Sequence, residues 1–172
     1  MKSQAFGWKP VFRYLLVLFM LTGANLYGAT HTVSNGGGLS DAITAVNGSG
    51  TDDTITFTGN IGLEAALPDI IKATGTLTIE GNGYTLSPKL VPSGFRVLTI
   101  FVGNVTIDRL TISGGYANDG GGILNNGTLT LTNCTVSGNT AGTWGGGIYN
   151  YDGGILTLTN CTVSGNTAGN SG

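Results

Sequence analysis

The chain has 172 residues, 31 of them glycine, and only 9% carry a formal charge. Disorder requires low hydrophobicity and high net charge, whereas 40% of this chain is hydrophobic, so it is expected to fold. Of the seven bases only Lys72, Lys89, Arg96 and Arg109 lie beyond residue 29, against all nine acids, which leaves no basic patch to hold nucleic acid.

The N-terminus reads as an export signal over residues 1–29. Lys2, Lys9 and Arg13 form a basic start, Tyr14–Leu21 is an unbroken apolar run, and small residues follow at Gly23, Ala24, Gly28 and Ala29. Cleavage after Ala24 or after Ala29 fits this layout. The apolar run is shorter than the ~20 residues of a spanning helix, and no later segment is apolar enough to cross. No cysteine lies near the cleavage region, which argues against a lipid anchor. The expected location is therefore extracellular or at the cell surface.

Residues 30–94 read as an N-terminal cap with irregular first coils. Thr30–Val33 has strand character, and Gly36, Gly37 and Gly38 read as a break. Leu39, Ala42, Ile43 and Val46 then recur at helical spacing, with Gly38 or Ser40 as cap and Asn47-Gly48 as stop. Asp53–Thr58 alternates Ile55 and Phe57 with threonine, and Gly75–Glu80 repeats the alternation before a Gly81-Asn82-Gly83 turn.

From residue 95 to 172 a coil pattern takes over. Fourteen residues, LTLTNCTVSGNTAG, occur unchanged at Leu129–Gly142 and Leu156–Gly169, offset by 27. The motif GGGI precedes each copy, at Gly120–Ile123 and Gly145–Ile148, offset by 25, so two residues are inserted before the second copy. Val105–Ala117 aligns on Leu129–Ala141 as a degenerate copy, placing Leu110 on Cys134 and Ile112 on Val136. A period in the twenties rich in Gly, Asn and Thr predicts a solenoid. Within one coil, alternation turns Leu129 and Leu131 inward and their threonines outward. Asn133 flips the parity as a corner, Cys134 and Val136 resume the inward set, and Ser137-Gly138-Asn139 makes the next corner. Leu156, Leu158, Asn160, Cys161, Val163 and Asn166 repeat these roles. Stacking places Asn133 over Asn160, where an amide ladder is expected. The leucine-rich-repeat signature is absent. The predicted fold is all-β, a right-handed parallel β-helix with a capping segment containing one short helix.

These residues resemble the right-handed parallel β-helix repeats of large exported bacterial proteins. They are similar to the repeats of polymorphic outer-membrane proteins, which carry a GG[AI] and an F-x-x-N motif. Gly121-Gly122-Ile123 and Gly146-Gly147-Ile148 match the first. Val136-Ser137-Gly138-Asn139 and Val163-Ser164-Gly165-Asn166 match the second, with Val in place of Phe. Leu39–Ile43 and Asp53–Phe57 also resemble the lead-in helix and strand of such proteins. The resemblance implies export, outer-membrane association, further coils of a longer chain beyond residue 172, and a non-catalytic, adhesin-like or passenger-like display rod. Surface glycans or host and neighbour-cell proteins are the partners it suggests. The alternative is a fragment of a carbohydrate-active β-helix enzyme, a polysaccharide lyase or glycosidase, lacking its catalytic coils.

The residues themselves offer little chemistry. A glycosidase needs two positioned carboxylates, yet beyond Arg109 only Asp119 and Asp152 are ionised, and they fall on different parts of the coil. Asp108-Arg109 reads as a surface ion pair, with a proton-transfer pair as the alternative. Asp52-Asp53 starts a strand, with half of a calcium site as the alternative. His31 sits beside the cleavage region and carries no catalytic weight. Asn118–Gly122 lacks the residue order of a calcium-binding glycine repeat. No catalytic, cofactor or metal residue is assigned. Cys134 and Cys161 stack one coil apart, within disulfide reach, but both face inward in register, which favours two thiols over a bridge. Flat threonine arrays such as Thr130, Thr132, Thr157 and Thr159 suit ice or sugars, though two clean coils support neither.

Overall fold

The computed structural model describes residues 28–90, 94–151 and 153–170. The expected signal segment, apart from Gly28 and Ala29, and Asp152 of the two-residue insertion lie outside the described residues.

The chain winds into a parallel β-solenoid of about five turns. Strand β1 (Thr30–Val33) leads into helix α1 (Gly36–Asn47), then β2 (Asp53–Phe57), β3 (Ile61–Leu63), β4 (Ile70–Glu80), β5 (Thr85–Pro88) and β6 (Leu98–Asp108). The later coils follow as β7 (Thr111–Ser113), β8 (Tyr116–Asp119), β9 (Ile123–Asn125), β10 (Thr128–Thr132), β11 (Thr135–Ser137) and β12 (Thr140–Trp144). Strands β13 (Ile148–Asn150), β14 (Ile155–Thr159), β15 (Thr162–Ser164) and β16 (Thr167–Ala168) complete the described chain.

Three sheets form the walls, and every ladder in them is parallel. Wall A is ordered β1-β2-β4-β6-β10-β14, with β9 and β13 continuing it along the flank of β6. Wall B is β15-β11-β7-β5-β3 and wall C is β16-β12-β8. The stack therefore starts with the first strand, since β1 already pairs in parallel with β2.

The alternation read from the sequence sets the core. Leu129, Leu131 and Val136 are fully buried and stack in register on Val105, Ile107 and Ile112 below them. Each such side chain contributes about 1.5–3 kcal/mol through burial. Their copies Leu156, Leu158 and Val163 pair in the same register on the outermost strands β14 and β15, where Leu158 and Val163 stay exposed. Helix α1 adds Leu39, Ala42, Ile43 and Val46 to the core.

The helix departs from the sequence reading at its start. It begins at Gly36 rather than after the three glycines, because Asn35 is the cap and its side chain accepts from the Gly38 N–H at 2.9 Å. The Asn35 side chain satisfies a first-turn N–H ahead of the glycines, so Gly38 and Ser40 both fall inside the helix. Asn47-Gly48 does end it.

The corners explain the repeated motifs. Arg109, Asn133 and Asn160 share one corner and all adopt left-handed φ near +50°, a region Asn tolerates better than most residues. The expected Asn133–Asn160 ladder is replaced: Asn133 donates to Asp108 Oδ1 (3.1 Å). The ladders run inside the coil, where Asn139 donates to Asn166 Oδ1 (3.0 Å) and Asn125 to Asn150 Oδ1 (2.6 Å). Asn139 and Asn125 are fully buried, and their amides satisfy corner backbone groups such as the Gly115 N–H and the Ile112 carbonyl. The GGGI motif is a corner of bare backbone. Gly120 and Gly145 turn with φ of 58° and 57°; Gly121 and Gly146 then lie against neighbouring main chain, and Gly122 and Gly147 against the inward Asn139 and Asn166 amides, with no room for a side chain.

Cys134 and Cys161 are free thiols. Cys134 Sγ donates to the carbonyls of Ile107 and Thr132, and Cys161 Sγ to those of Leu131 and Thr159. Burial pushes the Cys134 thiol up from its ordinary range, so it stays protonated and slow to react at neutral pH. A thiol titration of unfolded, unreduced protein is expected to count both cysteines, with Cys134 protected from alkylation in the native state; a count of zero would establish a bridge.

Candidate functional site

The outer surface of wall A is a threonine lattice. Thr30, Thr54, Thr78, Thr106, Thr130 and Thr157 occupy one register position through all six strands. A second column runs Thr32, Thr56, Glu80, Asp108, Thr132 and Thr159, so two carboxylates interrupt its centre. Coils lie about 4.8 Å apart and the two columns about 6.7 Å apart, as strand geometry dictates. Wall B repeats the device with Thr85, Thr111, Thr135 and Thr162, alongside Ser113, Ser137 and Ser164. The array is thus longer than the two clean repeats suggest, because the degenerate coils keep threonine outward while varying elsewhere.

Among the described residues three ion pairs are dispersed over the rod. Arg109 Nε lies 2.8 Å from Asp108 Oδ2 on the surface, as the sequence suggested. Lys89 pairs with Glu64 on an exposed edge. Asp53, by contrast, does not face solvent. It shares the inward parity of Ile55 and Phe57, and its Oδ2 meets Lys72 Nζ at 2.7 Å, both side chains being fully buried. Lys72 also donates to the carbonyls of Ser49 (2.9 Å) and Thr51 (2.6 Å), while Asp53 Oδ1 accepts from the Ala29 N–H (2.8 Å). Burial alone would raise the Asp53 carboxyl; the hydrogen bonds from Lys72, Ala29 and Ser49 and the Lys72 charge outweigh it and hold it below the ordinary range. This group locks the first coils together. Asp52 instead accepts from the Thr76 N–H at 2.8 Å. Among the described residues no three His, Cys, Asp or Glu side chains converge as metal ligands would. His31 lies half-buried on β1.

One flank of the rod differs from the rest. Strands β6, β9 and β13 align Thr99, Leu124 and Tyr149 as an outward column. Two positions on, Phe101, Asn126 and Tyr151 follow, tied by Asn126 N–H to the Ile100 carbonyl and Tyr151 N–H to that of Asn125, both 2.8 Å. Phe101 and Tyr151 are about half exposed, and the two tyrosine rings sit 5.8 Å apart. Ile71 and Val102, partners in register, extend the exposed apolar surface below.

At the foot of this flank is a cleft of about 390 Å³ lined by Asp69, Phe95, Arg96, Thr99, Tyr116 and Asn118, among others. Arg96 crosses it, donating to the Asp119 and Gly120 carbonyls and, through Nη1, to Thr99 Oγ1 at 3.1 Å. Burial draws its guanidinium below the usual range, while Asp69 and Asp119 act to hold its charge. A larger cleft of about 600 Å³ opens between the start of α1 and residues 60–67.

Of the repeat positions singled out in the sequence, Asn133, Leu158, Asn160 and Val163 are exposed. Gly121, Gly122, Ile123, Leu129, Leu131, Cys134, Val136 and Asn139 are buried, and Gly146, Gly147, Ile148, Leu156, Cys161 and Asn166 are buried or half-buried. Sequence reasoning missed the Lys72–Asp53 group, Arg96 and the aromatic flank. The parity of Asp53 with Ile55 was a usable signal for the first; for the flank, the GGGI copies that open β9 and β13 mark two of its strands, but nothing local places β6 beside them.

Comparison with protein-family models, with curated proteins and with solved structures finds no match. The class is set by the fold, a parallel β-solenoid, and the functional reading rests on the faces it presents. Among the described residues no helix is long and apolar enough to cross a membrane.

Proposed function

We propose that this chain is an exported, non-catalytic display rod of adhesin-like or passenger-like kind, akin to the polymorphic outer-membrane protein repeats it resembles, which binds surface glycans through many weak contacts. The observation that carries the reading is the threonine column held in one register through six strands of wall A. A hydroxyl column at the coil spacing offers a polymer the same contact again and again, and such contacts sum by effective concentration. The excess of acids over bases beyond residue 29 disfavours polyanionic partners.

The test is retention of the whole chain on immobilised polysaccharides. Retention on neutral polymers is expected, little weakened by salt because few charges take part, with no release of reducing or unsaturated ends. Release of such ends, abolished by Asp108→Asn or Arg109→Gln, would replace this reading with the enzymatic one.

A further inference from the structure

The geometry points to the flank of β6, β9 and β13 as the place where a neutral oligosaccharide docks, an inference that rests on the glycan-binding reading above and gives it a site. The flank is a grid of two columns and three coils. Each coil brings one ring or apolar side chain and one hydrogen-bonding group: Phe101 with Thr99, Leu124 with Asn126, and the two tyrosines Tyr149 and Tyr151, whose rings carry both functions. A sugar ring has the complementary division. Its C–H faces are apolar and slightly positive, suited to the negative face of an aromatic ring, and its rim is all hydroxyl. Tyrosine serves both sides because its body is apolar and its tip polar.

Size separates a glycan from a protein partner. From strand and coil spacings the grid covers about 200 Å², and the adjoining Ile71 and Val102 add two side chains to it, which together stay well short of the about 800 Å² per partner that a stable protein interface buries. The grid is a half-exposed surface, bordered by the cleft that Thr99 also lines, on a scale that fits two or three sugar rings. Charge separates neutral from acidic sugars. The six grid residues include no Asp, Glu, Lys, Arg or His, and Arg96 in the cleft below is engaged with the Asp119 and Gly120 carbonyls and neighboured by Asp69 and Asp119. Its remaining role is to orient Thr99, to which it donates.

The experiment is affinity measurement on the full chain with laminarin, mannan and chitin oligosaccharides as neutral probes and alginate as the acidic one. Three variants are compared with the parent: Tyr149→Ala/Tyr151→Ala, Phe101→Ala, and Thr106→Val/Thr130→Val on wall A. Thr44→Ala, on the exposed side of α1, is the control. All flank substitutions sit at exposed or half-buried positions, and thermal melts check that each variant folds. A tenfold or greater loss of affinity for a neutral probe in the tyrosine variant, with a smaller loss in Phe101→Ala and none in the control, is expected. If the tyrosine variant binds like the parent while Thr106→Val/Thr130→Val loses binding, the flank assignment is wrong and the glycan-binding rod stands. If the parent binds none of the neutral probes, or alginate alone, both fall.

Discussion

Replacing Lys72 by Met is expected to cost about 3–5 kcal/mol, the usual penalty for stranding one partner of a buried ion pair. The ammonium is fully enclosed and donates to Asp53 and to the carbonyls of Ser49 and Thr51. Its loss leaves a carboxylate inside the first coils with only the Ala29 N–H and weaker local donors to hold it. Against a typical domain stability of about 5–15 kcal/mol, that is a large share, and the urea midpoint should fall accordingly. The double variant Asp53→Leu/Lys72→Met is expected to recover most of the loss. Leu is the residue that Asp53 pairs with on the next coil, at Leu77, so the site accepts an apolar side chain in register. The pair also makes stability depend on pH with a definite sign. The carboxyl is depressed in the folded state, so its contribution is complete above the unfolded value of about 3.9 and disappears as pH falls through the depressed folded value. Urea midpoints at pH 7 and in this acid range should therefore diverge in the parent more than in the double variant. Equal acid sensitivity in the two proteins would show that the pair is not the titrating element.

The second large effect is expected from a single methyl group. Gly121→Ala places a Cβ in overlap with the Thr140 carbonyl oxygen, 2.6 Å from its carbon and 2.8 Å from the Gly146 oxygen. All three are backbone atoms of neighbouring segments, so relief requires the C wall and the next GGG corner to separate. The expected loss is about 3 kcal/mol, at the upper end for overpacking. Two other glycines set the scale. Gly138 has open space around it but a φ of +64°, so Gly138→Ala should cost only the left-handed strain of about 1–2 kcal/mol. Gly59 has neither a close neighbour nor a positive φ, and Gly59→Ala should be near neutral or slightly stabilising. Denaturant midpoints ordered Gly121, Gly138, Gly59 from most to least damaged would establish that the GGGI motif keeps the space between coils clear of side chains. A Gly121→Ala protein as stable as the parent would reduce it to a flexible turn.

The two glycine roles also locate what local reading could reach. Strand segments, the inward set and the corners follow from the alternation of LTLT and its interruption at Asn133, because side-chain direction in a strand has a period of two. The helix was legible in Leu39, Ala42, Ile43 and Val46, though its first turn was hidden by the three glycines that Asn35 caps. The amide ladders were misplaced. An Asn at a corner and an Asn pointing into the coil look alike in one dimension, and only the fold places Asn139 and Asn125 under buried carbonyls and amides.

The amino-acid sequence by itself determined the solenoid, its period and the inward set of the alternating strand residues such as Leu129, Leu131 and Val136, since these are consequences of local alternation and of self-similarity. Register between coils was decided by the tertiary structure, because inserted residues shift sequence offsets from 24 to 27 while the ladders absorb them at corners. That register turns scattered threonines into a six-strand column and sets Phe101, Asn126 and Tyr151 on one flank. It also buries Lys72 against Asp53 across 19 residues of chain. Contacts of this kind depend on which coils lie side by side, a property of the stack that no single repeat contains.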